Sequence, residues 1–350
     1  LETTLNNRAF AIIGENIHTT RVLLQKGKRI GPNHRGEESV LYKNALGEDS
    51  FLVIPQKFKE TQVYKEGRVK HFMIAVQKGI SDNPDEQKEG EAYILSEIRR
   101  QERYGSTFLD LNVDEISHRI EIQKEAMSWL VNYYCEVATL PPSIDSSSLE
   151  ILQVGLEEYD KCGKPQGSAM VNSASLERID ALDFVEQHEC HVIVTAAALD
   201  GMPSNSEERV ENASEMVENC LSKDIPLDKI HVDLLLFPIS VDQTFGNHYL
   251  DAVRDIREKY GDDIYITGGL SNVSFGLPMR RLINETFIRL AIDAGIDSGI
   301  INPVENRIER IMALDIDSER VQIARDMLLG HDEFCMNYIS SYRDGKLASK

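Results

Sequence analysis

The chain has 350 residues, 41% of them hydrophobic and 27% charged, with a formal net charge of -20. That length and balance suit one large α/β domain with a substantial core, and the acidity excludes a general binder of nucleic acid. No apolar run approaches the roughly 18 residues that a membrane helix needs, so no membrane role is expected.

Taken in order, Leu1-Glu2-Thr3-Thr4 shows no basic stretch followed by an apolar one, and no signal peptide is expected. Five scattered cysteines (Cys135, Cys162, Cys190, Cys220, Cys335) point to reduced thiols and a cytoplasmic setting. Phe10-Ala11-Ile12-Ile13 predicts a buried strand, with Gly14-Glu15-Asn16 as the polar loop at its carboxyl end. Residues 19–85 then break the rhythm with Gly27, Gly31, Pro32, Gly36, Gly47 and Gly67, and one strand-like stretch, Phe51-Leu52-Val53-Ile54-Pro55. The segment is too long for an ordinary loop and is expected to have structure of its own, returning through a helical turn over 71–78. Between Arg21 and Lys70 lie 11 basic and 6 acidic residues, a net of +5 in a chain of -20. Such an island meets an anionic ligand or partner, or is an ordinary solvated surface.

From residue 90 the alternation becomes regular. Helices are predicted over 90–104, 116–137, 147–162, 176–188, 206–221, 247–260 and 278–294, the last opened by Pro278. Strands are predicted over 107–113, 142–145, 168–172, 191–196, 229–233, 263–267 and 298–303, with helices following to about residue 329. With the first strand this makes eight, and they lack two-residue alternation, as expected when both faces are covered. Eight consecutive βα units predict an α/β fold, a (β/α)8 TIM barrel as one domain over 1–350, with 19–85 as an insertion after the first strand at the barrel mouth. An open doubly wound sheet is the rival, and eight units fit closure better.

In such a barrel the strand carboxyl ends form one mouth. Glu15, Asn16, Asp110, Asn112, Asp145, Asn172, Asp233, Asn272 and Asn302 fall there. Carboxylates and amides with almost no basic residue or thiol among them suit a neutral, donor-rich heterocycle such as a 2-amino-pyrimidinone, whose adjacent N–H and NH2 a carboxylate accepts together. Magnesium binding and glycoside hydrolysis are the alternatives. Amides interrupt the carboxylates, and the mouth lacks aromatic residues for stacking on sugars. His188-Glu189-Cys190-His191 enters a strand at its amino end and is expected to be structural, so no metal is expected. The glycines of Gly268-Gly269-Leu270-Ser271-Asn272-Val273-Ser274 serve the turn, while the amide of Asn272 has no structural reason to be there.

Ile13-Gly14-Glu15-Asn16-Ile17, Leu109-Asp110-Leu111-Asn112-Val113, Ile144-Asp145-Ser146, Met170-Val171-Asn172-Ser173, His231-Val232-Asp233 and Gly269-Leu270-Ser271-Asn272-Val273-Ser274 together resemble the pterin-binding barrels of methyltetrahydrofolate:corrinoid methyltransferases. The folate domain of cobalamin-dependent methionine synthase is similar. The resemblance implies that Asp145, Asn172 and Asp233 hold the pterin and that Asn272 approaches N5. Glu15, Asp110 and Asn112 would support that network. It implies tetrahydrofolate or 5-methyltetrahydrofolate as substrate and a homodimer. No Asp-x-His-x-x-Gly corrinoid signature is present, so the corrinoid would come on a partner protein. The insertion would then be a lid or docking surface, for the corrinoid protein or for the folate glutamate tail. Where the family carries Arg after the first-strand Glu and Asn two residues later, this chain has Asn16 and His18. Dihydropteroate synthase shares the fold, but its Asn-Val-Thr first loop and late Ser-Arg-Lys signature are missing. A catalytically silent folate-binding subunit is the remaining alternative.

Overall fold

The computed structural model describes residues 4–5, by backbone alone, and residues 8–348. Eight strands form the main sheet: β1 (Ala11–His18), β2 (Phe108–Asn112), β3 (Pro142–Asp145), β4 (Met170–Ala174), β5 (His191–Thr195), β6 (Ile230–Asp233), β7 (Tyr265–Thr267) and β8 (Ser298–Ile301). Their order is β7-β6-β5-β4-β3-β2-β1-β8. This is the neighbour order of a (β/α)8 barrel, and the pair at its ends meets through a parallel bridge between Gly269 and Ile300. Strand cores are apolar on the outer face because helices cover them. Leu109, Leu111 and Ile144, on adjacent strands, are inaccessible to solvent. No helix among the described residues is long and apolar enough to cross a membrane, and all five cysteines are free.

Two compact units are distinguished, one over Gly14–Val171 and the other joining the stretch that ends at Ile13 to the stretch that begins at Asn172. In the first, β1 runs five residues past Ile13, so Glu15 and Asn16 lie within the strand and not in a loop after it. Gly14 is required there, since a methyl group on it would stand 2.4 Å from Gln101 Oε1. Helix α1 (Pro84–Arg103) begins earlier than its apolar pattern because Asn83 caps it, accepting Asp85 N–H at 3.0 Å, with Pro84 in the first turn. Helices α2 (Ile120–Val137) and α3 (Leu149–Lys161) follow β2 and β3.

The segment after β1 is more ordered than one strand-like stretch implied. Residues 30–32, 38–43 and 49–53 form a three-stranded antiparallel sheet, and 22–24 pairs with 68–70. Both hairpin turns use one device. Asn33 Oδ1 accepts the N–H groups of Arg35 and Glu37, and Asn44 Oδ1 accepts those of Leu46 and Glu48, at 2.8 to 3.0 Å. Gly36 and Gly47 supply the left-handed residue each turn needs, at φ 78° and 85°. The sheet is rooted on buried Val40 and Leu52. A hydrogen-bonded line adds to this: Arg29 donates to Tyr93 Oη at 2.7 Å, and that hydroxyl lies 2.8 Å from His71 Nδ1. Tyr42 packs edge-on against Tyr93 at 4.7 Å. Burial keeps His71 well below its usual pKa and so neutral.

In the second unit β5, β6 and β7 pair in parallel, placing His231 beside Tyr265 and Asp233 beside Thr195 and Thr267. Helices α4 (Ala181–His188), α5 (Ser206–Ser222), α6 (Phe245–Tyr260) and α7 (Arg280–Ala294) alternate with the strands. The loop after β7 contains a 3-10 turn over Leu270–Ser274, and α7 starts at Arg280 behind Met279, whose φ is 52°. Pro278 therefore ends the loop and does not open the helix. A helix over Met336–Arg343, beyond the last element expected, closes the described chain.

Candidate active site

Each unit carries a polar cluster at the carboxyl ends of its strands. In the Gly14–Val171 unit, the pairing of β3 with β2 sets Asp145 opposite Asn112 and Ser143 opposite Asp110, so these four share the face away from Leu109, Leu111 and Ile144. Asn112 Nδ2 donates to Asp145 Oδ2 at 2.9 Å, and its own oxygen accepts Asp114 N–H at 3.0 Å. Asp114 in turn accepts from Ser146 Oγ at 2.5 Å and from Ser147 N–H and Oγ at 2.8 Å. The residues on both sides of the carboxylate are thus tied down. Asp110 lies one step deeper and is 3% exposed.

Glu15 faces Arg21, with Oε1 2.6 Å from the guanidinium, which also donates to the Glu15 carbonyl. Asn16 turns the other way, its Nδ2 donating to Glu97 Oε1 at 2.7 Å and its N–H to Gln101 Oε1 at 3.2 Å. Asn16 therefore serves the contact with α1, not the polar cluster. The ring was expected to hold almost no basic residue, yet Arg21 and His18 both enter this cluster, His18 Nε2 lying 3.3 Å from Asp145 Oδ2. The direction of neither was legible: His18 ends β1 and Arg21 opens the irregular segment, where no periodicity fixes a direction. Beside the cluster, a groove of about 1120 Å³ runs between the insertion and the β2–α2 loop, with Lys57, Phe58, Lys70, Met73, Asp114 and His118 on its walls.

In the other unit, Asp233 ends β6 and is 8% exposed. Burial pushes its carboxyl up to about 6, partly offset by the N–H groups of Leu235 and Gly269. The Leu235 bond is 2.8 Å. Gly269 links the two residues of interest here: it donates to Asp233, and a methyl group on it would lie 2.9 Å from Asn272 Nδ2. Asn272 is exposed, and its side-chain amide makes no hydrogen bond to any described residue. Gly268 is equally confined, since a methyl group there would meet Tyr249 Oη at 2.6 Å. Tyr249 is buried and donates to the Thr267 carbonyl at 2.8 Å.

Asn172 is half-buried in β4, which continues to Ala174, so it is not the terminal residue that the apolar run suggested. Asn302 Oδ1 accepts Val304 N–H at 3.1 Å and shapes the turn after β8. Arg209, from an acidic-faced helix, was missed altogether. It is buried, donates to the carbonyls of Asn205 and Leu235 at 2.7 and 3.4 Å, and lies 5.2 Å from the Phe237 ring centre. It holds the left-handed Leu235 (φ 59°) whose N–H reaches Asp233. Among the described residues no group of three or more His, Cys, Asp or Glu is placed to hold a metal. His191 begins β5, and burial lowers it to about 4.

Comparison with known proteins bears on the family and the fold. The family model described as pterin binding enzyme matches residues 83–302. A methylcorrinoid:tetrahydrofolate methyltransferase of Eubacterium limosum is 30% identical over 266 residues, covering 75% of this chain and 91% of that protein. A methionine synthase of Mycobacterium leprae is 30% identical over 257 residues, and there the match covers 67% of this chain but only 20% of the relative. Among solved structures, dihydropteroate synthase from Xanthomonas albilineans in complex with 7,8-dihydropteroate superposes with a TM-score of 0.51 at 15% identity, over 64% of this chain and 84% of that one. At that identity the likeness concerns the fold.

Proposed function

The chain belongs to the pterin-binding enzyme family, and from that premise we propose that it moves a methyl group between N5 of tetrahydrofolate and the cobalt of a corrinoid carried by a separate protein. The observation that carries the reading is the amide of Asn272, exposed and without a hydrogen bond to any described residue, against the glycine that also donates to Asp233. In this reading Asp145, Asn172 and Asp233 are the residues assigned to the donor-rich edge of the pterin, and Glu15, Asp110 and Asn112 support them.

A tertiary amine is a poor leaving group. When the methyl carbon passes to cobalt(I), the C–N5 bond breaks, its electron pair stays on N5, and N5 takes up a proton. In the other direction N5 attacks the methyl carbon of methylcobalt(III) and sheds a proton. Asn272 stabilises N5 in the transition state through its N–H, with water relaying the proton, so no strong acid is required. At neutral pH Asp233 is ionised and accepts from the pterin.

The corrinoid protein needs a landing surface. Leu199, Met202, Val241 and Phe275, each at least 66% exposed, lie on the loops after β5, β6 and β7 and supply an apolar rim. The basic insertion adds a charged one, and we assign the active form as a homodimer. The test is spectroscopic: cobalamin with this protein and 5-methyltetrahydrofolate should interconvert between its cobalt(I) and methylcobalt(III) spectra. The Asn272→Ala variant should bind the folate normally and lose about 100-fold or more in transfer rate. Absence of methyl exchange in both directions, with condensation of p-aminobenzoate and pterin pyrophosphate instead, refutes the reading. A full rate in Asn272→Ala removes that residue's role.

A further inference from the structure

His18 is the last residue of β1, and its ring bridges two fixed points. On one side Thr20 N–H donates to Nδ1 at 3.2 Å, so Nδ1 carries a lone pair. The proton of the neutral ring is then on Nε2, the nitrogen that lies 3.3 Å from Asp145 Oδ2. Thr20 Oγ1, 2.6 Å from the same Nδ1, reinforces that tautomer. On the far side Asn112 Nδ2 reaches the same Oδ2 at 2.9 Å. One hydrogen bond, from Asn112, and the His18 ring nitrogen at 3.3 Å therefore converge on one carboxylate oxygen, while Oδ1 accepts no hydrogen bond from any described residue.

A hydrogen bond from one side and a ring held against the same oxygen from the other fix the plane of the carboxylate, whereas the bond alone leaves it free to swing. A ligand that presents two parallel N–H donors needs that plane set before it arrives. Both side chains of the His18–Asp145 contact are about a fifth exposed, so its contribution to stability is small and its effect falls on orientation. We infer that His18 is a positioning residue for substrate recognition. It holds Asp145 with Oδ1 turned to the amino edge of the heterocycle, and this rests on the pterin-binding reading above. Its reach across β2 to β3 makes Thr20, one turn beyond the strand, part of the same device.

The experiment is titration of 5-methyltetrahydrofolate into the full chain and its His18→Ala, His18→Gln, Asp145→Asn and His18→Ala/Asp145→Asn variants, with methyl-transfer kinetics on each. His18→Ala should weaken Kd and KM about tenfold, with the loss in KM and not in kcat. His18→Gln places an amide donor where Nε2 stood and should recover most of the affinity. On the Asp145→Asn background His18→Ala should add nothing. Unchanged affinity in His18→Ala, no recovery in His18→Gln, or additive losses in the double variant overturns the inference. If the parent chain itself does not bind the folate, the functional reading fails separately. Nitrogen-15 spectra of the His18 ring then test the geometry without ligand: Nε2 should be protonated and should shift in Asp145→Asn, and a Nδ1-protonated or unresponsive ring overturns the dyad.

Discussion

Replacing Asp233 with Asn should make the protein more stable and less able to bind its substrate. Burial raises the Asp233 carboxyl from 3.8 to about 6. Because the folded value lies above the unfolded one, the folded protein holds the proton through that window, and stability falls as pH rises across it. Above it the buried carboxylate costs about 3 kcal/mol, at roughly 1.4 kcal/mol per pH unit. Asparagine keeps an oxygen for the N–H groups of Leu235 and Gly269 and carries no charge. The urea midpoints of the two proteins should nearly coincide at pH 4, and Asp233→Asn should be about 3 kcal/mol more stable at pH 7.5. Its amide NH2 would face the donors of the pterin, so folate affinity should fall about 100-fold. In the parent chain affinity should weaken as pH drops below about 6. A variant no more stable than the parent at pH 7.5, or an advantage that does not change with pH, refutes the reasoning.

Gly268→Ala drives a methyl group to 2.6 Å from Tyr249 Oη and 3.4 Å from Asp233 Oδ1. Tyr249 is buried and anchored, so stability should drop by about 1–3 kcal/mol, read by urea denaturation, and folate Kd should rise more than tenfold. Arg257→Ala strips the cation that sits 2.9 Å from buried Asp297 and also donates to the Gly295, Gly261 and Ile264 carbonyls. It should cost about 3–5 kcal/mol in the same assay. Lys26→Glu, Lys28→Glu and Arg35→Glu together reverse three exposed charges on the insertion. Transfer with a protein-bound corrinoid should slow at least tenfold at low salt, with the difference shrinking at high salt and absent for free methylcobalamin.

The eight-stranded order was legible because most barrel strands carry a short apolar run that is buried, a signal that survives without partners. Asp145 and Asp233 were legible for a related reason: a carboxylate ending such a run has nowhere to go but the mouth. What failed was local. Glu15-Asn16 reads as a loop because polar residues interrupt the apolar run. Yet Asn16 stays in the strand because Glu97 and Gln101 supply its partners from a helix some 80 residues on. Residues 19–85 hid their sheet because short antiparallel strands with one face on a small core carry little apolar periodicity. Their signal lay in the turns, where Asn33-His34-Arg35-Gly36-Glu37 and Asn44-Ala45-Leu46-Gly47-Glu48 repeat one Asn-x-x-Gly-Glu pattern. That His18 and Arg21 turn into the cluster was hidden because a side chain at or just past the end of a strand is aimed by tertiary contacts and not by alternation.

The line from Arg29 through Tyr93 to His71 bears on how the insertion moves. A flap on slack hinges exchanges its amide protons on its own, ahead of the body it covers. Here the root of the sheet ends on a phenol buried in α1, so the strands over 38–43 and 49–53 cannot lift without stripping a helix residue of its partners. Their amides should exchange as one cooperative block with that helix. Motion that accompanies the arrival of a partner is then left to the hairpin tips and to the ribbon of 22–24 with 68–70, whose Val22 and Leu24 already face solvent. The insertion works as a fixed platform with soft edges, and selection on partner choice would act on those edges without touching the core that carries them.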